Sequence, residues 1–587
     1  MNILFINPPS VPYSSLVKAL KDKTISHKQT LSLPLGILYL SSVLEKNVAD
    51  VDIKIIDIAK GAFEHSRSTD RLSTNIVGIT ALCMKDLPDD WVPDYIGISV
   101  LFSTAHKTTG EISKSLKKIF PGRPIVVGGM HATNAVEKLL KFESIDYVCR
   151  GEGESIIVEF SKIIHSCGDV EKIQGIYGKT KLKNNLISGL NESAPLVDNI
   201  DEIPFPAWHL LPMNDYIVPS GRSRKLDTVI QDGEATIMTT RGCPFFCTFC
   251  SSWTVHGRKM RYRSIENVIA EIDILYHKYN VRSFVPEDDL FTVKKDRIIN
   301  LCNTVSSRYK DLKFQFPNGL SVATLDDDVI AAMIRMGMNV ACIAIESGSD
   351  FVQRKIIKKN ASLPRARKVI QSCRDQGVIA RCFYVLGFPG ETKEMIEETI
   401  SFSASVSSDW SVYNIAAALS GTEMFETLLN EGTIGDDFNW DDSFYQDRFY
   451  DSPEITADEL KVIAHRANIT NNFFHNYNLR IEQFDRAILL FEDILHSYPE
   501  HLAARYCYAI AHKHKGDIQH YKINIKACED LIINGENDSF TRDLYRDFID
   551  EFVELDYMKN YVLNKDIKGS NRNHDKTDEQ PRHMRSI

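Results

Sequence analysis

The sequence predicts an α/β protein in three parts: an N-terminal doubly wound parallel sheet, a partial (β/α)6 TIM-type barrel, and an all-helical C-terminal region. Three observations predict it. Short apolar strands alternate with amphipathic helices from residue 1 to about 170, a pattern that implies a parallel sheet covered on both faces. The alternation resumes at Ala235 and runs through six βα units to about residue 430. From about residue 455 only helical periodicity remains.

In the N-terminal part, strands are expected at Ile3–Ile6, Val51–Ile56, Tyr95–Val100, Ile125–Val127 and Ile145–Val148. Helices are expected at Ile37–Leu44, Glu111–Ile119, Val136–Leu140 and Glu154–Ile164. A sheet of this kind binds ligands at the carboxyl ends of its strands. The loops falling there are Gly128-Gly129-Met130-His131 and Arg150-Gly151-Glu152-Gly153-Glu154. Their glycines let a ligand approach the backbone closely. Residues 171–234 read as a connector, with a hairpin over Ile176–Gly189 and an extended Pro204-Phe205-Pro206-Ala207-Trp208 stretch suited to an interdomain groove.

In the barrel, 235–430, strands are expected at Thr236–Thr239, Ser283–Val285, Lys313–Phe316, Val340–Ile345, Ala380–Leu386 and Ser411–Ile415. Between the first two, Ile265, Val268, Ile269, Ile272, Leu275 and Tyr276 mark one helical face. The helical region is expected to span 431–563. Within it, from about 481, Ala487-x3-Phe491-x3-Leu495 followed by Pro499 is like half of a tetratricopeptide repeat (TPR), and Ala503–Cys528 reads as a degenerate second copy. The segment 435–480 is expected to cap the barrel and close its mouth. The polar tail, 564–587, is expected to be disordered.

Bulk properties exclude several function classes. The chain has 587 residues, too many for one core and suited to roughly three to four domains. At 43% hydrophobic and 25% charged, with net charge −10, it is not a general nucleic-acid binder. No apolar run approaches the roughly 18 residues of a membrane span, and Met1–Asn7 reads as a strand, not a signal peptide. Cys83, Cys149, Cys167, Cys302, Cys342, Cys373, Cys382, Cys507 and Cys528 fall singly, as buried small hydrophobes do. A reducing cytoplasm fits this usage.

The remaining three cysteines carry the chemistry. Cys243, Cys247 and Cys250 stand at Cys-x3-Cys-x2-Cys spacing in Arg241-Gly242-Cys243-Pro244-Phe245-Phe246-Cys247-Thr248-Phe249-Cys250, directly after the first barrel strand. That position is the mouth of the barrel, where active sites lie. Thiolates suit iron–sulfur clusters; three of them can ligate three irons of a 4Fe–4S cluster and leave the fourth open. A zinc site completed by His256 is the alternative that the residues leave standing.

The segment closely resembles the radical S-adenosylmethionine (SAM) superfamily, and further stretches follow in order at successive strand ends. These are Arg261-Tyr262-Arg263-Ser264, Glu287-Asp288-Asp289-Leu290-Phe291, Glu346-Ser347-Gly348 and Leu386-Gly387-Phe388-Pro389-Gly390-Glu391. The resemblance implies that Cys243, Cys247 and Cys250 hold the cluster, that Phe249 packs near adenine, and that Glu287, Asp288, Glu346, Ser347 and Gly387 contact SAM. A preceding flavodoxin-like domain resembles the cobalamin-binding subgroup. That implies cobalamin contacts from Pro8, Pro9, Ser99, Gly128, Gly129, Met130, His131, Gly151 and Glu152, with Asn7-Pro8-Pro9 and Pro34-Leu35-Gly36 placed as the subgroup places them. No Asp-x-His-x-x-Gly segment is present, so the resemblance implies cobalamin held without a histidine on cobalt, with His131 as a hydrogen-bonding loop residue.

The implied function is reductive cleavage of SAM to a 5′-deoxyadenosyl radical and methylation of an unactivated carbon, a chemistry carried by the cofactors. Oxidative cyclisation, rearrangement and P-methylation are alternative outcomes on the same scaffold, and a scaffold protein acting through its C-terminal helices is a reading of another class. Expected partners are a small-molecule or carrier-bound substrate, an electron donor such as flavodoxin or ferredoxin, and a protein at the C-terminal helices.

Overall fold

The computed structural model describes residues 1–21, 31, 33–68, 75–183, 192–217, 233–359, 361–440, 448–534 and 539–559. The expected tail at 564–587 lies outside them.

Strands β1 (Asn2–Asn7), β2 (Asp52–Asp57), β3 (Tyr95–Ser99), β4 (Ile125–Gly128), β5 (Tyr147–Cys149) and β6 (Ile176–Gly178) form one sheet in the order β2-β1-β3-β4-β5-β6. All neighbours are parallel except β5 and β6. The order reverses between β1 and β3, which places the ligand crevice of a doubly wound sheet there. Ile3, Leu4, Ile6, Ile96, Ile98 and Val127 are fully buried, as two covered faces require. The expected hairpin at 176–189 is corrected. β6 adds antiparallel to the sheet and runs into a helix, Lys179–Lys183, while the rest of that stretch lies outside the described residues. The helices Ile58–Ser68 and Ile76–Cys83, which the sequence reading passes over, complete the covering layer.

The second region holds β7 (Glu234–Ile237), a short pair β8 (Thr240–Arg241) and β9 (Arg261–Tyr262), then β10 (Ser283–Pro286), β11 (Lys313–Phe314), β12 (Leu320–Ser321), β13 (Val340–Glu346), β14 (Ile379–Leu386) and β15 (Trp410–Ile415). They pair as β11-β10-β7 and β12-β13-β14-β15, parallel throughout both sheets. The third expected strand, Lys313–Phe316, is therefore shortened to β11, and β12 follows it as a separate strand that was not expected. Pro317 lies between them and has no N–H to give a ladder, and Gly319 turns the chain at φ +87°. The helix Ile265–Tyr279 buries Val268, Ile269, Ile272 and Leu275 as its periodicity predicts. It also buries Glu271, which Arg263 neutralises.

The connector joins the two regions. Ala207 N–H donates to Leu38 O (3.1 Å), and Phe205 lies under the Arg263 guanidinium. The C-terminal helices sit mainly at the amino ends of β13–β15, where Val340, Ile379 and Trp410 share a core with Phe473, Phe491 and Tyr506. The expected cap at 435–480 has its helical part begin beside the carboxyl ends of β14 and β15, where Ile455 and Leu460 share a core with Leu386 and Ile415. The helix Ala457–Ile469 lies along β15, the edge strand. Beyond it, the Asn472 side chain behaves as a surrogate strand: Oδ1 accepts from Ser411 N and Nδ2 donates to Ser411 O, both at 2.7 Å. A free edge is thereby covered. Asp409 locks the same junction by accepting from Arg374 (2.7 Å), Arg486 (2.5 Å) and Asn478 (3.1 Å).

Of the isolated cysteines, Cys83, Cys302, Cys342, Cys373, Cys382, Cys507 and Cys528 are buried; Cys149 is half-buried and Cys167 exposed.

Candidate active site

The cysteine loop leaves β8 through Gly242, whose φ of +93° suits glycine and whose Cβ, if present, would meet Lys259 O at 2.5 Å. Gly242 N–H donates to Asp289 Oδ2 (2.9 Å), and Cys243 N–H to Gly257 O (3.2 Å). Further along, Thr248 is tied on three sides: N–H to Ile357 O (3.0 Å), Oγ1 to Ile356 O (2.9 Å), and its carbonyl to Met424 N–H (2.9 Å). Three half-buried free thiols are thus held on a loop that is anchored at both ends. Burial pushes the Cys247 thiol up to about 12 and raises Cys243 as well; a bound metal would favour the thiolates.

The donor set fits a cluster better than a single zinc ion. His256 turns its Nδ1 to Glu152 Oε1 at 2.8 Å. Among the described residues the three sulfurs do not converge to within 4.8 Å of one another, as ligands of one ion would.

Beside the thiols stands an ion pair that the sequence reading left out. Lys359 Nζ meets Glu346 Oε1 at 2.7 Å. Burial disfavours the lysine cation, but the Glu346 carboxylate outweighs this and keeps it charged, with Cys247 and Cys250 nearby. Glu346 ends β13 at φ +72°, next to a register shift in the β13–β14 ladder. A left-handed glutamate is a strained conformation of the kind that clusters at functional sites. No motif marks Lys359; only its basic neighbourhood, Lys355, Lys358 and Lys359, hints at it.

The other expected SAM contacts separate. Glu287 is half-buried at the end of β10, where Asn318 Nδ2 donates to it (2.8 Å); burial raises its carboxyl. Asp288 turns under the strand ends, accepting from Thr239 N (2.6 Å), Thr239 Oγ1 (2.5 Å) and Thr240 Oγ1 (3.0 Å). Ser347 is buried against Thr399 Oγ1 (2.9 Å). Gly387 gives its N–H to Glu391 (2.6 Å) and its carbonyl to Arg448 (3.0 Å). Phe249 packs on Phe388, with centroids 5.4 Å apart.

In the N-terminal sheet, Pro8 and Pro9 are buried directly after β1, and Ser99 pairs in register with Gly128. Gly129, at φ +104°, approaches the Val100 carbonyl so closely that a Cβ would sit 2.6 Å from it. Gly151 N–H donates to Thr133 Oγ1 (3.0 Å). Leu101 and Phe102, after β3, are 58% and 41% exposed. Two large apolar side chains thus stand open to solvent at the switch point, where a sheet of this kind takes its ligand. His131 is buried with both ring nitrogens engaged, Nδ1 with Ser103 Oγ (3.0 Å) and Nε2 with His106 Nδ1 (2.9 Å). Burial lowers His106 to about 4 and His131 to about 3, so the pair is neutral near pH 7. Trp440 packs edge-on against both rings, at 4.7 and 5.2 Å.

Glu152 and Met130 face the cysteine loop. The Glu152 carboxylate lies between Arg261 (2.6 and 2.8 Å), His256 (2.8 Å) and Arg241 (3.4 Å), while Glu154 takes the other arm of Arg241 at 2.6 Å. Burial opposes its ionisation, but the bonds from His256 and Arg261 prevail and hold it well below the usual carboxylate range. Met130 approaches Thr254, and Asn134 Nδ2 donates to Thr254 Oγ1 at 3.0 Å. The ligand-facing ends of the two α/β regions are therefore in direct contact.

Comparison with known proteins agrees with this architecture. Residues 237–403 match the radical SAM superfamily model and residues 28–161 the B12-binding domain model. The chain is 28% identical over 474 residues to an uncharacterised methyltransferase of Pyrococcus horikoshii, covering 80% of this chain and 92% of the relative. It is 25% identical to cytidylyl-2-hydroxyethylphosphonate methyltransferase of Streptomyces wedmorensis, covering 68% and 78%. Its fold is similar to that of the radical S-adenosylmethionine methyltransferase TsrM from Kitasatospora setae, solved with cobalamin and a [4Fe-4S] cluster bound. The TM-score is 0.56 at 15% identity, over 73% of this chain and 78% of that one.

Proposed function

We propose, for a chain whose residues 237–403 match the radical SAM superfamily model and whose residues 28–161 match the B12-binding domain model, a cobalamin-dependent methyltransferase that acts on an unactivated carbon of a metabolite. The observation that carries this reading is the direct contact between the cysteine loop and the loops after β4 and β5, through Glu152, Asn134 and Thr254. When bound, the cluster and SAM supply a carbon-centred radical and cobalamin supplies the methyl group.

The chain's own residues have narrower tasks. Cys243, Cys247 and Cys250 hold the cluster. Lys359 and Glu346 place one cation and one anion beside the open position, matching in sign the carboxylate and ammonium of an amino-acid moiety. Phe249 and Phe388 offer an aromatic surface. Asp288, Ser347 and Gly387 hold the strand ends that carry these groups in place. Leu101, Phe102 and Gly129 bed the corrinoid, and the neutral His131–His106 pair shapes the loop without ligating cobalt.

The TPR-like reading of the C-terminal helices belongs here too. The helices Phe484–Ser497, Leu502–His514 and Ile518–Asn534 pack in sequence, which supports the repeat-like reading, and a carrier-bound substrate is the partner we propose for them. A reducing, cytoplasmic setting suits the cluster, with a flavodoxin or ferredoxin as electron donor.

The test uses full-length protein reconstituted anaerobically with iron, sulfide and cobalamin. With SAM and a reductant, 5′-deoxyadenosine and a retained corrinoid spectrum are expected. Replacing any one of the three cysteines with Ala is expected to bring 5′-deoxyadenosine to background; a variant that forms it at the native rate overturns the assignment. Transfer of a labelled methyl group from SAM to a metabolite that accumulates in a deletion strain separates methylation from cyclisation.

A further inference from the structure

Outside the candidate active site, three metal-capable side chains converge at one turn. The helices Leu502–His514 and Ile518–Asn534 are joined through Lys515-Gly516-Asp517, with Gly516 at φ +80°. His512 reaches Asp517 Oδ2 with Nδ1 at 3.2 Å, and His520 reaches the same oxygen with Nδ1 at 2.8 Å. The two imidazoles stack at 4.8 Å, 21° from parallel. The three donor atoms all lie within 4.8 Å of one another.

We propose that His512, Asp517 and His520 bind a divalent transition cation of the zinc type. Two imidazole nitrogens and one carboxylate oxygen form a donor set that zinc and its neighbours favour over magnesium or calcium. With metal–ligand distances of about 2.0–2.1 Å, the edges of a tetrahedral set are about 3.3 Å; the His512–Asp517 separation of 3.2 Å matches this, and the His520–Asp517 separation of 2.8 Å would open slightly on binding. The flanking cations do not compete for the carboxylate: Lys513 is taken by Glu554 (2.6 Å), and Lys515 pairs with Asp485. His512 is largely covered, its side chain 12% exposed, while Asp517 at 37% and His520 at 55% leave a path for the ion and for water in the remaining position. The cation clips one helix to the next across the turn. This inference does not depend on the proposed methyl transfer.

The alternative is a purely polar turn, in which Asp517 caps the second helix by accepting His520 N–H at 3.2 Å and the imidazoles only decorate it. The test uses the tag-free full chain with its cluster reconstituted, so that the three loop cysteines are occupied. Zinc is added, the excess is removed by gel filtration, and zinc and iron per chain are measured together; affinity comes from competition with a chromophoric chelator. About one zinc per chain is expected for the native protein and for His514→Ala, whose ring stacks on Phe484 instead. At least tenfold weaker binding is expected for His512→Ala and for His520→Gln, the latter keeping a donor toward Asp517, with iron content and circular dichroism unchanged. The proposal is overturned if the native chain retains no zinc, or if His520→Gln and His512→Ala hold it as tightly as the native chain.

Discussion

At the scale of single residues, the candidate site depends on backbone positions as much as on ligands. Gly242 combines a left-handed φ with a carbonyl 2.5 Å from where a Cβ would be. Gly242→Ala is expected to strain or displace the loop at a cost of about 1–3 kcal/mol, read as lowered iron retention after reconstitution with overall helicity unchanged. Glu391 behaves differently. Burial pushes its carboxyl up to about 7, even though the Phe388 and Gly387 N–H groups favour the anion. The folded state therefore binds this proton more tightly than the unfolded chain, whose glutamate titrates near 4.5. Stability from this group is full below pH 4.5 and is lost as pH rises to about 7, by roughly 3 kcal/mol across the window. Urea unfolding of Glu391→Gln is expected to lack that decline. The cluster ligands were legible because their spacing is local. Lys359 was not, because its partner Glu346 is brought to it only when the chain after β13 folds back.

Elements show where periodicity suffices and where it fails. Most of the long strands of the two α/β regions follow from apolar spacing, since a covered parallel strand writes its burial into the chain, while helices Ile58–Ser68 and Ile76–Cys83 do not. The third expected barrel strand, Lys313–Phe316, stops at Phe314, and Pro317 and Gly319 separate it from the additional strand β12. Glu271 sits on the buried face of its helix because Arg263, from outside that helix, neutralises it. The edge of β15 depends on one amide. Asn472→Leu, close in volume, leaves the Ser411 N–H and carbonyl unpaired in a buried place; a loss of about 2–6 kcal/mol is expected from urea denaturation, at about 1–3 kcal/mol for each of the two unsatisfied groups. Equal stability of the variant would show that the edge needs no surrogate strand.

Across the whole molecule, two junctions decide how the cofactor-bearing ends meet. The first is the buried charge cluster of Glu152 and Glu154 with Arg241, Arg261 and His256. Glu152→Ala leaves the buried Arg261 cation without its carboxylate, and a loss of about 3–5 kcal/mol is expected, measured by thermal unfolding together with corrinoid retention. The second is the return of the chain after β15, which seats Trp440 on His106 and His131 and bonds Ser420 Oγ to Asn134 O at 2.8 Å. Trp440→Ala is expected to cost about 3–5 kcal/mol and to release corrinoid more readily while the iron content stays native.

The amino-acid sequence by itself determined the order of α/β and helical parts, the cysteine ligands and the glycines at strand ends, because these are written in local spacing and in φ preferences. Only the tertiary structure decided that Glu152 grips the cysteine loop, that Asp288 and Ser347 turn inward, that Lys359 stands by the thiols and that Trp440 seals the neighbouring sheet. Each of these is a contact between residues distant in the chain, set by which charges and apolar faces the packed domains bring together, and no period or motif in a linear sequence encodes it.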